Sequence, residues 1–139
     1  FGDIQNKSPM SQLDNLFHVE HLTTEHRDWM RGVEFYQHEL DVLEKRLSEF
    51  SKQHSDIGVK AQIEHFQNQF IRHQEVIDEL NATIHHHEKE IASLAQANNI
   101  ATDHRKADDH TELREDMVQF RKIFGELRME YLKFLAKTF

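Results

Sequence analysis

Three long seams of apolar residues, each advancing by three or four positions, constrain this chain more than any other feature. Spacing of this kind places the apolar side chains along one face of an α-helix. The first seam comprises Val19, Leu22, His26, Trp29, Val33, Tyr36, Leu40, Leu43, Leu47 and Phe50. The second runs from Val59 to Leu94, and the third from His110 to Phe134. The pattern predicts three helices, over about 12–53, 57–98 and 103–138.

The composition favours helix throughout the chain, because one Pro and four Gly among 139 residues supply too few turns for many short strands. Turn signals occur at "SKQHSDIG" and "QANNIATDH". Short connections between long helices favour antiparallel neighbours. The predicted fold is therefore all-α, an up-down-up antiparallel three-helix bundle with long coiled-coil-like helices. In outline this resembles the architecture of spectrin-type repeats, a likeness from which no function is carried over.

The length predicts one domain. Residues 1–10 have no periodicity and end near Pro9, so we expect a flexible lead-in followed by a single domain over residues 11–139. Ser11 and Asp14 resemble a capping box and predict the start of the first helix. Ile123 and Leu135 are expected to widen the third seam into a bundle core.

Charge and composition argue against several classes of function. A net charge of -8 is unfavourable for a nucleic-acid partner. The chain has no run of about 18 apolar residues, so we expect no membrane span, and we assign it to the cytoplasm by default, although a signal peptide could have been removed. It has no cysteine and no Gly-rich phosphate loop. The sequence leaves enzymatic activity open but favours a non-enzymatic protein.

Four histidines interrupt the apolar seams, and each needs a polar partner if it is buried: His26, His73, His87 and His110. Successive helical residues point about 100° apart, so the triplet His85–His87 cannot share one face. His85 and His86 are expected to face solvent. For His73, Tyr36 or Tyr131 is expected to lie at a similar height and to satisfy an imidazole nitrogen.

Folding the helices back at the two turns brings three of these histidines, His26, His87 and His110, within about seven residues of one level, or roughly 10 Å. His18 and His21 fall in the same band, and Glu25 or Glu90 could supply a carboxylate. One interpretation is a metal site for a divalent transition metal such as zinc or iron. The other is a hydrogen-bonded layer that fixes the register of the helices.

Three functional hypotheses follow from these patterns. The first is a non-enzymatic helical interaction or scaffold protein, self-associating or bound to a helical protein partner; the apolar ending "EYLKFLAKTF" is expected to pack against such a partner. The alternative is a metal- or haem-binding bundle that uses the histidines of three helices. The third is a pH-responsive bundle, because burial lowers the pKa of a histidine.

Overall fold

The three helices begin and end close to the predicted positions. The computed structural model describes the backbone of residues 9–97 and 100–138 and the side chains of residues 20–93 and 110–138. Helix α1 spans Pro9–Gln53, α2 spans Ile57–Ala97 and α3 spans Ile100–Thr138. At about 1.5 Å per residue, each helix is roughly 60–70 Å long. The predicted lead-in lies almost entirely outside the described residues, and the division into lead-in and domain stays a prediction.

The helix starts differ from the expected positions in two places. Helix α1 begins at Pro9 rather than at Ser11, because the fixed φ and missing N–H of proline suit the first turn of a helix. Helix α3 begins at Ile100, about three residues earlier than predicted. At the start of α2, the Lys60 N–H donates to the Asp56 carbonyl at 2.8 Å, which places Asp56 at the N-cap position of this helix.

Contacts between α1 and α2 show that these helices are antiparallel. Gln37 pairs with Gln74 through two amide hydrogen bonds of 2.8 Å and 2.6 Å. Nearer the start of α1, His26 meets Ile84, which lies further along α2. Higher positions in α1 therefore meet lower positions in α2. The reciprocal amide pair also fixes the register of the two helices, since a slip along either one would break both bonds.

Contacts between α2 and α3 show the second reversal of direction. The ring centres of Phe66 and Tyr131 are 5.5 Å apart, and those of His87 and His110 are 6.1 Å apart. Lower positions in α2 thus meet higher positions in α3. The chain is an all-α three-helix bundle in the predicted up-down-up arrangement.

The core follows the three predicted seams. Trp29, Phe120 and Phe124 are among the aromatic residues buried in it. Full burial of one such side chain stabilises the fold by about 1.5–3 kcal/mol. The expected widening of the third seam is confirmed for Leu135, which packs against the core. It is wrong for Ile123, which is 40% exposed because it faces the groove between α2 and α3.

Several large apolar side chains lie outside this core. Five of them are more than half exposed, namely Phe35, Ile57, Ile71, Val118 and Met129. Scattered surface hydrophobics are normal, but contiguous ones indicate contact surfaces. Within the described residues, no helix has an apolar segment long enough to cross a bilayer.

Candidate functional site

A buried polar layer links α1 to α3 near the start of α1. The His110 Nε2–H donates to Glu25 Oε1 at 3.2 Å. Arg114 binds both oxygens of the same carboxylate, with Nε 2.7 Å from Oε2 and a terminal nitrogen 2.6 Å from Oε1. His110 is 2% exposed and the Glu25 side chain is 20% exposed. One carboxylate from α1 therefore satisfies two cationic or polar groups that lie one turn apart on α3.

A second hydrogen bond links α1 to α2 in the same layer. The His26 Nε2–H donates to the backbone carbonyl of Ile84. A carbonyl oxygen can only accept, so the Nε2 atom carries the proton in the neutral ring. The bond satisfies a ring that is 3% exposed.

Trp29 packs against two histidines of this layer. Its ring centre lies 4.5 Å from that of His110 and 6.4 Å from that of His26. The rings of His87 and His110 are 6.1 Å apart in an edge-on arrangement. Of the three histidines that the sequence placed near one level, His26 and His110 therefore pack against the Trp29 indole, and His87 packs against His110. We call His26, Trp29, His87 and His110, together with Glu25 and Arg114, the histidine layer.

The pKa values in the histidine layer are shifted by burial and by Arg114. Burial lowers the pKa of His26 below its ordinary value of 6.5, and the hydrogen bond to Ile84 opposes this only in part. Burial also lowers the pKa of His110, with the Glu25 carboxylate opposing. The hydrogen bonds from Arg114 lower the pKa of Glu25. At neutral pH the layer therefore combines the Glu25 carboxylate with the neutral, buried imidazoles of His26 and His110.

Of the predicted flanking residues, His21 lies on the surface, whereas Glu25 and Glu90 are partly buried, with side chains 20% and 24% exposed. His21 approaches Glu25 at 3.2 Å, and His86 approaches Glu90 at 3.1 Å. The side chain of His86 is 70% exposed and that of His85 is 50% exposed, which confirms the prediction that both face solvent. The side chain of His18 lies outside the described residues.

The histidine layer has the composition of a metal site but another arrangement. Within residues 20–93 and 110–138, no group of three or more His, Asp or Glu side chains is placed to hold a metal ion. His26 donates to a carbonyl group and His110 to a carboxylate, as the layer that fixes helix register requires. Metal binding by His26, His87 and His110, and the haem alternative, stay predictions.

His73 lies outside this layer, and its predicted partner is wrong. Its Nδ1–H donates to the Gln69 carbonyl one turn earlier, at 2.8 Å. This local bond turns the ring towards Phe120, 6.0 Å away between ring centres. Among the described residues neither His73 Nε2 nor the Tyr131 hydroxyl has a hydrogen-bond partner. Tyr36 packs its ring on Phe120 instead.

An open groove of about 470 Å³ lies between α2 and α3. Its apolar lining includes Val76, Leu80, Phe120 and Ile123. Of these, Val76 is 39% exposed and Ile123 is 40% exposed. The volume is within the range of pockets that accept an organic ligand or part of a partner chain.

Comparison with known proteins gives no relative: no protein-family model matches the chain, and no curated protein or solved structure matches it either.

Two features of the site have only weak signals in the sequence. Arg114 follows His110 by one helical turn, so the two share a side of α3 and can meet one carboxylate. The spacing offers Glu25 and Glu90 as carboxylates near this level but does not identify Glu25 as the partner of Arg114. Gln37 and Gln74 are ordinary polar residues in the sequence, and their pairing depends on the register of α1 against α2.

Proposed function

We propose that this protein is a non-enzymatic helical interaction or scaffold module that self-associates through the groove between α2 and α3. The observation that carries this function is the open groove. Val76 and Ile123 stay partly exposed there, on a side of the bundle where a further helix would pack. Each Å² of apolar surface removed from water stabilises association by roughly 25 cal/mol before the costs of binding.

Two charged residues on the rim of the groove could pair with each other between two copies of the protein. Arg72 lies four residues before Val76 and Glu79 lies three residues after it, and both line the groove. A two-fold axis beside Val76 would make the α2 helices of two copies antiparallel. Each Arg72 would then approach Glu79 of the second copy. Such an interface uses the same patch on both subunits, with two ion pairs around an apolar centre.

Sedimentation velocity across about 1–100 µM protein tests this function. We expect a reversible dimer whose population rises with concentration, and a shift to monomer for Val76→Asp, which places two carboxylates beside the axis. Ile71→Asp is the matched control, because Ile71 is 56% exposed on another side of α2. A wild-type monomer over the whole range, or a dimer unaffected by Val76→Asp, contradicts self-association through the groove.

Charge exchange tests the pairing more sharply. Arg72→Glu alone and Glu79→Arg alone each place like charges together, so each should weaken the dimer by tenfold or more. The double variant restores opposite charges and should recover most of the affinity. Equal weakening in all three variants would refute the proposed two-fold arrangement. Circular dichroism of every variant checks that the helices are intact.

We propose metal binding as a second candidate function, because the buried rings of His87 and His110 lie 6.1 Å apart. Two imidazoles on one zinc ion, at about 2.0–2.1 Å each, have roughly similar ring separations. His26 would have to release the Ile84 carbonyl to join them. Elemental analysis of untagged protein dialysed against zinc is the test. About one zinc per chain, lost in His87→Ala, supports it, and no difference between the two proteins contradicts it.

A further inference from the structure

The outer side of α3 has a second apolar stripe, separate from its core seam. It consists of Val118, Gly125, Met129 and Leu132, and we call it the outer α3 face. The three large side chains are 63%, 57% and 43% exposed in that order. At 100° per residue the four positions fall within about 60° around the helix. A solvated helix surface has no need of such a stripe.

Gly125 lies in the middle of this stripe and of α3. A Cβ atom built there would meet nothing within 4 Å, so packing within the chain does not require glycine. Glycine is unfavourable inside a helix compared with alanine. It does allow another backbone to approach closely. The depression above it is lined by three cations, two carboxylates and one methionine, namely Arg121, Lys122, Lys133, Glu126, Glu130 and Met129.

Cations flank the stripe on both sides. Arg121, Lys122, Arg128 and Lys133 lie about 50–70° from its centre. Glu126 lies about 90° away, and only Glu115, at the N-terminal edge, lies as close as the cations. The whole chain carries a net charge of -8, so this basic and apolar face differs in sign from the rest of the protein. Its electrostatic complement is an acidic surface.

The same features decide between three occupants. Two outer α3 faces from two copies would bring their cations together, which is unfavourable. An anionic membrane favours bulky apolar side chains such as Trp, Phe and Leu, whereas this stripe has glycine at its centre. A helix with acidic flanks complements the flanking cations, and its backbone can approach α3 closely in the open space above Gly125.

We propose that the outer α3 face docks an acidic amphipathic helix of a partner protein, which crosses α3 at Gly125. The apolar face of that helix covers Val118, Met129 and Leu132, and its carboxylates pair with the flanking cations. This surface is separate from the α2–α3 groove, so it is available in monomer and dimer alike.

A synthetic helix of about 20 residues is the probe, with leucines on one face, alanine at its centre and glutamates beside them. Fluorescence anisotropy should give a dissociation constant of about 1–100 µM, weaker at high salt because the pairs are exposed. The same helix with lysine in place of glutamate should bind at least tenfold more weakly. No binding of the acidic helix at about 1 mM, or equal binding of both helices, overturns the proposal.

Variants locate the binding. Gly125→Leu should abolish it while raising the melting temperature, since leucine favours helix and its Cβ meets open space; the loss is then not unfolding. Lys122→Glu with Lys133→Glu should weaken binding tenfold or more. Lys45→Glu with Lys60→Glu makes the same charge change on exposed positions of α1 and α2 and should have little effect. Binding that survives Gly125→Leu, or tighter binding to phosphatidylserine vesicles than to the acidic helix, overturns the proposal.

Discussion

Replacing Glu25 by alanine tests whether the histidine layer holds α1 to α3. The variant removes the acceptor of the His110 Nε2–H, and His110 is 2% exposed. An unsatisfied buried donor costs about 1–3 kcal/mol. The pair with Arg114 adds less, because the Arg114 side chain is 44% exposed and solvent screens it to about 1 kcal/mol or below. We therefore expect a loss of about 2–3 kcal/mol in the free energy of unfolding.

Urea and thermal unfolding followed by circular dichroism and by the fluorescence of Trp29 measure this loss. For a chain of this length, it corresponds to a melting temperature lower by roughly 5–10 °C. Glu20→Ala is the control, because Glu20 is an exposed acid on the same helix. Glu25→Gln retains an acceptor for His110 and should lose less than Glu25→Ala. A Glu25→Ala variant within about 0.5 kcal/mol of the wild type would refute the reasoning.

Three further predictions follow from the core and the buried histidines. Burial lowers the pKa values of His26 and His110 in the folded protein, so as the pH falls the unfolded chain binds protons at these histidines before the folded chain does. The melting temperature should therefore be highest above about pH 6.5 and fall below it. A melting temperature that stays constant from about pH 7.5 to 5 would contradict this. The lowered pKa of Glu25 adds a second loss below its ordinary value of 4.5, which Glu25→Gln should remove from the profile. His73→Leu removes the unsatisfied Nε2 atom and should leave stability unchanged or raise it by about 1 kcal/mol in urea unfolding, whereas a loss above about 2 kcal/mol would show that the imidazole has a stabilising partner.

The seams predicted the fold because long helices with strict spacing leave few arrangements in which all three apolar faces are covered. The same spacing placed His26, His87 and His110 within roughly 10 Å of one level, since the rise per residue is constant along a helix. The first residues of α1 and α3, Pro9 and Ile100, were not predicted correctly from the capping signals in the sequence. Helix ends depend on contacts and dihedral angles of one or two residues, which periodicity does not specify.

The hydrogen-bond partners of the histidines could not be predicted from the sequence for a different reason. Spacing fixes the height and direction of a side chain, but a hydrogen bond depends on rotamers and on the register of the neighbouring helix to within an ångström. A tyrosine was predicted as the partner of His73 because it lies at a similar height, but the Nδ1–H of His73 donates to the Gln69 carbonyl of its own helix. Glu25 was identified as a flanking carboxylate, but its bidentate pair with Arg114 was not.

A single introduced cysteine tests self-association through the groove most directly, because these 139 residues contain no cysteine. In Val76→Cys, the two-fold arrangement brings two copies of residue 76 together across the axis, within the Cα separation of about 4.4–6.8 Å that a disulfide requires. Mild oxidation of dilute protein should give a covalent dimer rapidly, and Ile71→Cys should stay largely monomeric on the same gel. Slow cross-linking at residue 76, no faster than at residue 71, would contradict the central claim.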